Sequence, residues 1–324
     1  MRTTFEHSHA RAWRQRVDKI LVAGVNTAVG ANLAEALSDQ RPVVGISFNS
    51  TVELPSCEVE AETPKKPAAV QEFLKQTQPS RIVFCGIGAE SSWDESRRPQ
   101  AADATLAKTW LDAAHACGCH LTLISSDAVF TGPWMFHAEN SHSLCPSAES
   151  TILRQIEQHA TDTSADALIV RTHAIGWQSG SSHGWLESLL TQLERGTVGS
   201  VDFARHGTPM LATDLAEVLK RSWESGLVGT HHISGAERIS PREFAMRMAD
   251  HFRLPKPATP IAGSLVDKTV GFGCGETSLQ TRKIRRALGI PLPLLDESLD
   301  RLYQQHVSGY RSRISGQVMN SRVA

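Results

Sequence analysis

The chain has 324 residues, with 33 basic side chains against 34 acidic ones and a formal net charge of −1. That length holds one large domain or two interleaved ones with a sizeable core. Balanced charge gives no electrostatic ground for nucleic acid or an anionic membrane as partner, and no apolar run reaches the ~18 residues of a transmembrane helix. Residues 1–16 carry Arg2, Arg11, Arg14 and Arg16 without an apolar h-region, so they read as a flexible extension, not a secretory signal. The six cysteines (Cys57, Cys85, Cys117, Cys119, Cys145 and Cys274) form no Cys-x-x-Cys pair. Scattered in this way they suit reduced thiols in the cytoplasm, with no bound metal and no disulfide.

The first structured stretch is Lys19-Ile-Leu-Val-Ala-Gly24-Val-Asn-Thr27-Ala-Val-Gly30. An apolar strand runs into Gly24, and helical spacing begins near Val29 with Leu33 and Leu37 on one face. Strand, glycine turn and helix point backbone N–H groups and a helix N-terminus at a pyrophosphate. Gly24 permits the turn and Gly30 lets helix and strand pack closely, while Thr27 stands where the dinucleotide fingerprint has its second glycine. A side chain there is expected to narrow the approach to a diphosphate. No Lys-Ser/Thr pair follows Gly30, which excludes a P-loop of the nucleotide-triphosphate type.

Pro42 to Phe48 reads as a second buried strand. A dinucleotide site has an acid at its end for the ribose hydroxyls, or an arginine for a 2′-phosphate. Here Ser47, Asn49 and Ser50 occupy the region, so NAD and NADP are not distinguished. Residues 54–68 read as a surface loop, Val70 to Gln76 as a helix and Arg81 to Gly86 as a strand ending in small residues that a cofactor could approach. A helix from about 100 to 117 leads to the strand His120–Ser126, followed by Asp127. Then come a polar loop to Pro146, a helix near 147–159 and the strand Ala167–Thr172. Alternation of this kind predicts an α/β fold with a doubly wound parallel sheet. Beyond it the pattern predicts helices at 185–194, 214–224, 241–252 and 281–288, a strand near Val198 and another at 229–235.

Together these motifs resemble the extended short-chain dehydrogenase/reductases, most closely the dTDP-4-dehydrorhamnose reductase branch. The residues that carry the resemblance are Gly24 to Gly30, Ile124-Ser-Ser126-Asp127-Ala-Val-Phe130-Thr-Gly132 and Leu168-Ile-Val-Arg171-Thr172. They continue with Gly207-Thr-Pro209, Thr213-Asp214-Leu-Ala, Thr230-His-His232-Ile-Ser-Gly235, and Leu279 through Lys283-Ile to Leu288-Gly-Ile290. The resemblance implies a Rossmann-like domain at 17–172, an interleaved substrate-binding region at 173–310 and a flexible tail at 311–324. It implies NAD or NADP as cofactor, held by Gly24, Asn26, Thr27, Val29, Gly30 and Gly86, and a 4-keto nucleotide sugar as ligand, with Asp127 and Arg282 as candidate contacts.

In that family a tyrosine of a Tyr-x-x-x-Lys helix donates a proton, a Ser or Thr hydroxyl polarises the carbonyl, and the lysine lowers the tyrosine pKa from about 10. Ser126 fills the hydroxyl position. The tyrosine is missing: the chain has two, Tyr303 and Tyr310, both near its end. By spacing the pair falls on Ser150 and Arg154, or on Glu149 and Leu153. The first choice keeps a hydroxyl and a cation, yet a serine is far less acidic than a phenol and arginine does not give up its proton. A substitute acid could come from His137, Glu139, His142 or Cys145. His231 and His232, as strand neighbours, point to opposite faces and make a poor chelating pair. Arg282 to Arg286 reads as a solvated helix face, with contact to a diphosphate as the other reading. Asp214 reads as a helix N-terminal signal. Two functions follow: a reductase of the dTDP-4-dehydrorhamnose reductase type, or a non-catalytic relative that binds a dinucleotide or sugar nucleotide and regulates a protein partner, alone or as a homodimer.

Overall fold

The computed structural model describes residues 18–180, 183–198, 204–257 and 270–316. Strands β1 (Ile20–Ala23), β2 (Val43–Ile46), β3 (Glu58–Glu60), β4 (Arg81–Phe84), β5 (His120–Ser126) and β6 (Leu168–Thr172) belong to one sheet. Short strands β7 (Ala174–Ile175) and β8 (Met210–Leu211) pair with each other, and β9 (Gly229–His232) returns to the main sheet. Its order is β3-β2-β1-β4-β5-β6-β9, all parallel. The order reverses direction between β1 and β4, the switch point where open α/β sheets leave a crevice at the strands' carboxyl ends.

The central strands β1, β2, β4, β5 and β6 are buried on both faces, and their period of two divides the core. Leu21 and Ala23 of β1 pack with Ile82, Phe84, Trp110 and Leu111 on one side. Ile20 and Val22 pack with Leu33, Leu37, Leu215 and Leu219 on the other. The first side is covered by α2 (Pro67–Thr77), α3 (Ala101–Ala116) and α4 (Ala148–Thr163), the second by α1 (Ala28–Ser38) and α6 (Ala212–Glu224). Between them in sequence lies α5 (Trp185–Glu194), and the chain continues with α7 (Pro241–Phe252), α8 (Arg282–Leu288), α9 (Leu295–Val307) and α10 (Tyr310–Ile314). The sheet and its flanking helices are the α/β, Rossmann-like doubly wound arrangement that the alternation of elements predicts.

Several local expectations differ from the structure. β3 lies inside the stretch read as a surface loop: its Glu-Val-Glu sequence is a short charged edge strand with little hydrophobic signal. Val198 belongs to no strand, and α9 was not foreseen. Asp214 is in the first turn of α6 but does not cap it. Its carboxylate instead accepts from Ser298 Oγ and pairs with Arg301 of α9. The flexible tail expected from 311 begins with part of α10, where Ile314 is buried, Arg311 lies over the Trp177 ring and Tyr310 donates to Asn32. Residues 1–16 and 317–324 lie outside the described residues.

An ion pair locks α4 to β6. Arg171 donates from Nη2 to Glu157 Oε2 at 2.7 Å and from Nε to Oε1 at 3.0 Å, and Ser125 donates to the same Oε1 at 2.6 Å. Arg171 also donates to the Glu139 carbonyl and lies over the Phe130 ring. Both side chains are nearly buried, so removing one leaves the other's charge uncompensated. Glu157→Ala is expected to cost about 3–5 kcal/mol of stability, read as a lower urea midpoint at unchanged slope. Glu157→Gln, which keeps the hydrogen-bonding shape, should cost less.

Candidate functional site

The crevice at the switch point begins at the turn between β1 and α1. Gly24 has φ +108°, and a Cβ there would stand 1.8 Å from the Cys85 carbonyl oxygen; one on Gly30 would stand 2.1 Å from the Gly24 oxygen. Both glycines are required by close backbone approach. Thr27 is tied into the turn. Its Oγ1 accepts from Gly30 N at 3.0 Å and donates to Gly24 O at 2.8 Å, so it caps α1 from inside the turn. Its backbone is extended, a conformation that makes no demand for glycine. Its hydroxyl is thus spent on the cap, while the residue still borders the cleft described next. Val29 is buried in the core.

A cleft of about 610 Å³ opens beside this turn. Asn26 and Thr27 border it on the β1 side, Phe48 and Asn49 at the end of β2, and Gly86 to Gly88 after β4. Ser125 at the end of β5, Leu153 and Ile156 of α4, and the charged side chains of Glu90, Arg97 and Asp103 also border it. Phe48 is fixed by Phe84 and Trp110, at ring separations of 5.6 and 5.9 Å. Asn26 accepts from Phe48 N through its side chain and from Gln178 through its carbonyl, which ties the loop to the chain beyond β7.

Helix α4 decides the catalytic positions. Ser150 is fully buried and donates to Ala128 O at 2.6 Å; Arg154 donates to Cys145 O at 2.7 Å and to Thr151 Oγ1 at 2.9 Å. Neither borders the cleft, whereas Leu153 does. Of the four residues in the two registers, Leu153 alone borders the cleft, and an isobutyl group carries neither proton nor charge. Of the substitute acids from the preceding loop, two are engaged by other side chains or backbone, while His142 is exposed and Cys145 is buried. His137 stacks on Phe130 and bonds Ser141 and Glu276 O, while Glu139 accepts from His232 N.

Ser126 is buried at the end of β5, where its Oγ accepts from Ala128 N at 3.1 Å and lies 3.2 Å from Asp127 Oδ1, to which it donates. Asp127 is fully buried. It accepts from His173 Nδ1 and from Thr277 Oγ1, each at 2.7 Å. Burial alone would raise its pKa, but the His173 charge and the hydrogen bonds from His173, Thr277 and Ser92 outweigh it and hold the carboxyl below its ordinary value. His173 Nε2 lies 3.4 Å from Ser91 Oγ.

Ser91 borders a second, smaller cleft of about 310 Å³. Ala28, which opens α1, and Trp185, which opens α5, both border it, so two helix N-termini meet there. Glu90 borders both clefts. Burial, with smaller contributions from Asp94 and Glu187, raises its pKa to about 7, although Arg97, 3.3 Å away, opposes the shift. Arg282 is exposed on α8 and borders neither cleft, while Lys283 of the same helix bonds Thr230 O. Asp127 borders neither cleft either. His232 is buried, which pushes its pKa down to about 3, and His231 bonds Val228 O. Among the described residues no group of His, Cys, Asp and Glu is placed to hold a metal, and no helix is long and apolar enough to cross a membrane.

Sequence reasoning missed Glu90, Ser91 and His173. The only signal was a histidine directly after Arg171-Thr172 where a buried strand ends; Glu90 and Ser91 sit in a polar loop with no periodicity to mark them.

Similar folds occur among solved structures. A dTDP-4-dehydrorhamnose reductase from Bacillus anthracis, in complex with NADP, superposes with a TM-score of 0.72 at 17% identity over 90% of this chain and 100% of its own. One from Clostridium acetobutylicum gives 0.71 at 18% identity, over 89% and 99%. A UDP-glucuronic acid 4-epimerase from Bacillus cereus, in complex with a fluorinated UDP-sugar and NAD, gives 0.69 at 15% identity, over 90% and 98%. These likenesses establish the fold. No curated protein matches the chain in sequence. The family model described as RmlD substrate binding domain matches residues 18–308, and the chain belongs to that family.

Proposed function

We propose that this protein binds NAD or NADP across the switch point and a nucleotide sugar beside it, as a reductase-like member of its family. The observation that carries this reading is the turn from Gly24 to Gly30, which admits no Cβ at either glycine and opens on the larger cleft beneath the N-terminus of α1. Such a terminus, with its unpaired N–H groups and positive dipole end, favours a diphosphate. Gly24 to Thr27 would hold the pyrophosphate, Phe48 and Asn49 the adenosine half, and Gly86 to Gly88 with Ser125 and Leu153 the nicotinamide half. Bound there, the nicotinamide supplies or accepts hydride. The NADP and NAD complexes of the structural neighbours support the cofactor, and the UDP-sugar complex supports the ligand class. A reducing cytoplasm suits a chain with no cysteine in a disulfide.

The chain's own residues shape this activity. Leu153 closes the nicotinamide end with an apolar wall in place of a cation. Glu90 sets the charge where the two clefts meet: protonated below about pH 7 it is neutral toward a diphosphate, and ionised above that value it repels one.

Titration with NADH and NADPH, followed by nicotinamide fluorescence, tests the reading. Saturable binding of either is expected, and a 4-keto nucleotide sugar should then oxidise the bound cofactor. Binding without oxidation would leave the regulatory, non-catalytic reading, which Leu153 favours; no binding at millimolar cofactor would end both.

Affinity should weaken as pH rises from 6 to 8, and Glu90→Gln should flatten that dependence. The same carboxyl affects folding. Its pKa is raised in the folded state, so the native protein holds the proton more tightly and stability falls as pH rises from the unfolded value of 4.5 to about 7. Glu90→Gln is expected to raise the melting temperature at pH 8, by up to about 3 kcal/mol of stability, and to change it little at pH 4.

Thr27→Gly, by deleting the cap, should cost a few tenths to about 2 kcal/mol in thermal unfolding and should not tighten cofactor binding. Tighter binding would mean that the side chain does stand in the diphosphate's path.

A further inference from the structure

The family's phenol is missing, yet the smaller cleft is bordered by a hydroxyl backed by an imidazole and a buried carboxylate. We propose that Ser91, His173 and Asp127 form a proton relay in which Ser91 exchanges a proton with the oxygen of a carbonyl or carbinol substrate seated in the smaller cleft. The proposal rests on the reductase reading for its substrate; the geometry of the relay does not.

Three observations carry it. First, the chain of contacts is continuous. Ser91 Oγ lies 3.4 Å from His173 Nε2, and His173 Nδ1 lies 2.7 Å from Asp127 Oδ2. Asp127 has no other full charge against it and accepts from Thr277 and Ser126 as well, so it stays a carboxylate and keeps the Nδ1 proton directed at itself. That leaves Nε2 facing Ser91, the arrangement by which a carboxylate orients a histidine toward a reactive hydroxyl. Second, only the outer end of the relay meets the cleft: Ser91 borders it, while the His173 and Asp127 side chains have no exposure to solvent. Third, the imidazole occupies a seat shaped for it. A Cβ on Gly207 would stand 2.7 Å from Nδ1, and the Trp93 ring packs edge-on with its centroid 4.3 Å away. Trp93 N also donates to Ser91 Oγ at 3.2 Å, which fixes the hydroxyl oxygen and leaves its proton free to turn toward cleft or imidazole.

In the reductive direction, a reduced nicotinamide is the source of the hydride that reaches the carbonyl carbon. The carbonyl π pair moves to oxygen, and that oxygen takes the Ser91 proton. Ser91 recovers a proton from His173 Nε2, so the imidazolium becomes a neutral imidazole that retains Nδ1–H toward Asp127. Oxidation of the alcohol runs the same transfers backwards. Ser91 is the catalytic residue; His173 and Asp127 are positioning residues that act through it.

The test has two arms. In the apoprotein, an alkyl fluorophosphonate should phosphonylate Ser91, located by peptide mass spectrometry, because the reaction needs a base that takes the hydroxyl proton. His173→Gln, and Gly207→Ala as a second variant that crowds the imidazole and the Asp127 carboxylate behind it, should slow this modification at least about 100-fold, the scale of lost general-base help. With NADPH and a 4-keto nucleotide sugar, Ser91→Ala and His173→Gln should lower kcat by about 10²–10⁴-fold, with KM and the NADPH dissociation constant unchanged. An unmodified Ser91 in the wild-type protein, or wild-type turnover in Ser91→Ala, overturns the relay. If Ser91 is modified in a His173-dependent way but no cofactor binds, the relay stands and the reductase reading falls.

Discussion

The burial of Asp127 is the constraint on which the two halves of this fold depend. An ionised carboxylate with no access to water is tolerated only when its oxygens are filled by donors. Its donors come from distant stretches: His173 beyond β6, Thr277 ahead of α8, and its neighbour Ser126 on β5. The carboxylate thus joins the carboxyl end of the sheet to the chain that crosses over from the C-terminal region. The links continue outward, since Thr277 N donates to His206 O and His137 Nε2 donates to Glu276 O, so the loop after β5 is held to the same C-terminal stretch.

The two clefts differ in their linings. The larger cleft carries Phe48, Leu106, Leu153 and Ile156, with Asn26, Asn49 and Ser125 as neutral polar points and Glu90, Arg97 and Asp103 as charged ones. The smaller one has backbone from two helix starts together with Glu90, Ser91 and Asp94. A dinucleotide has the same division, an apolar-faced ring at each end and a charged diphosphate between. The acidic side chains near the junction work against that charge, and burial offsets the conflict by holding Glu90 at the edge of ionisation near neutral pH.

Helix α4 is held by two anchors. Its N-cap, Ser147, accepts from Ser150 N, and Glu157 near its middle is clamped by Arg171 and Ser125. Those two anchors set the helix rotation. They aim the positions of Leu153 and Ile156 at the cleft and put Ser150 beneath Ala128. The side chains that α4 delivers to the larger cleft are apolar, and Ser91 on the loop after β4 is a hydroxyl that borders the adjoining space.

Much of the fold was legible without coordinates. The apolar run before Gly24, the 3.6-residue spacing after it and the alternation of strands and helices are local signals, and they determine the doubly wound sheet and the place of its crevice. The two glycines were legible for the same reason, because a tight strand-to-helix turn leaves no room for a Cβ. The absence of a usable tyrosine was also a property of the sequence alone. What the tertiary structure decided was direction and company. One residue of register on α4 separates a buried Ser150 from a cleft-facing Leu153, and spacing to a motif does not resolve one residue. That the Thr27 hydroxyl caps the helix from within the turn was likewise visible only in the fold. Glu90, Ser91, Asp127 and His173 lie on three different strand ends, and only the pairing of β4, β5 and β6 brings their side chains together. A hydrogen-bonded group drawn from separated segments leaves no periodicity in the chain, because it depends on the folded distance between residues that the sequence keeps far apart.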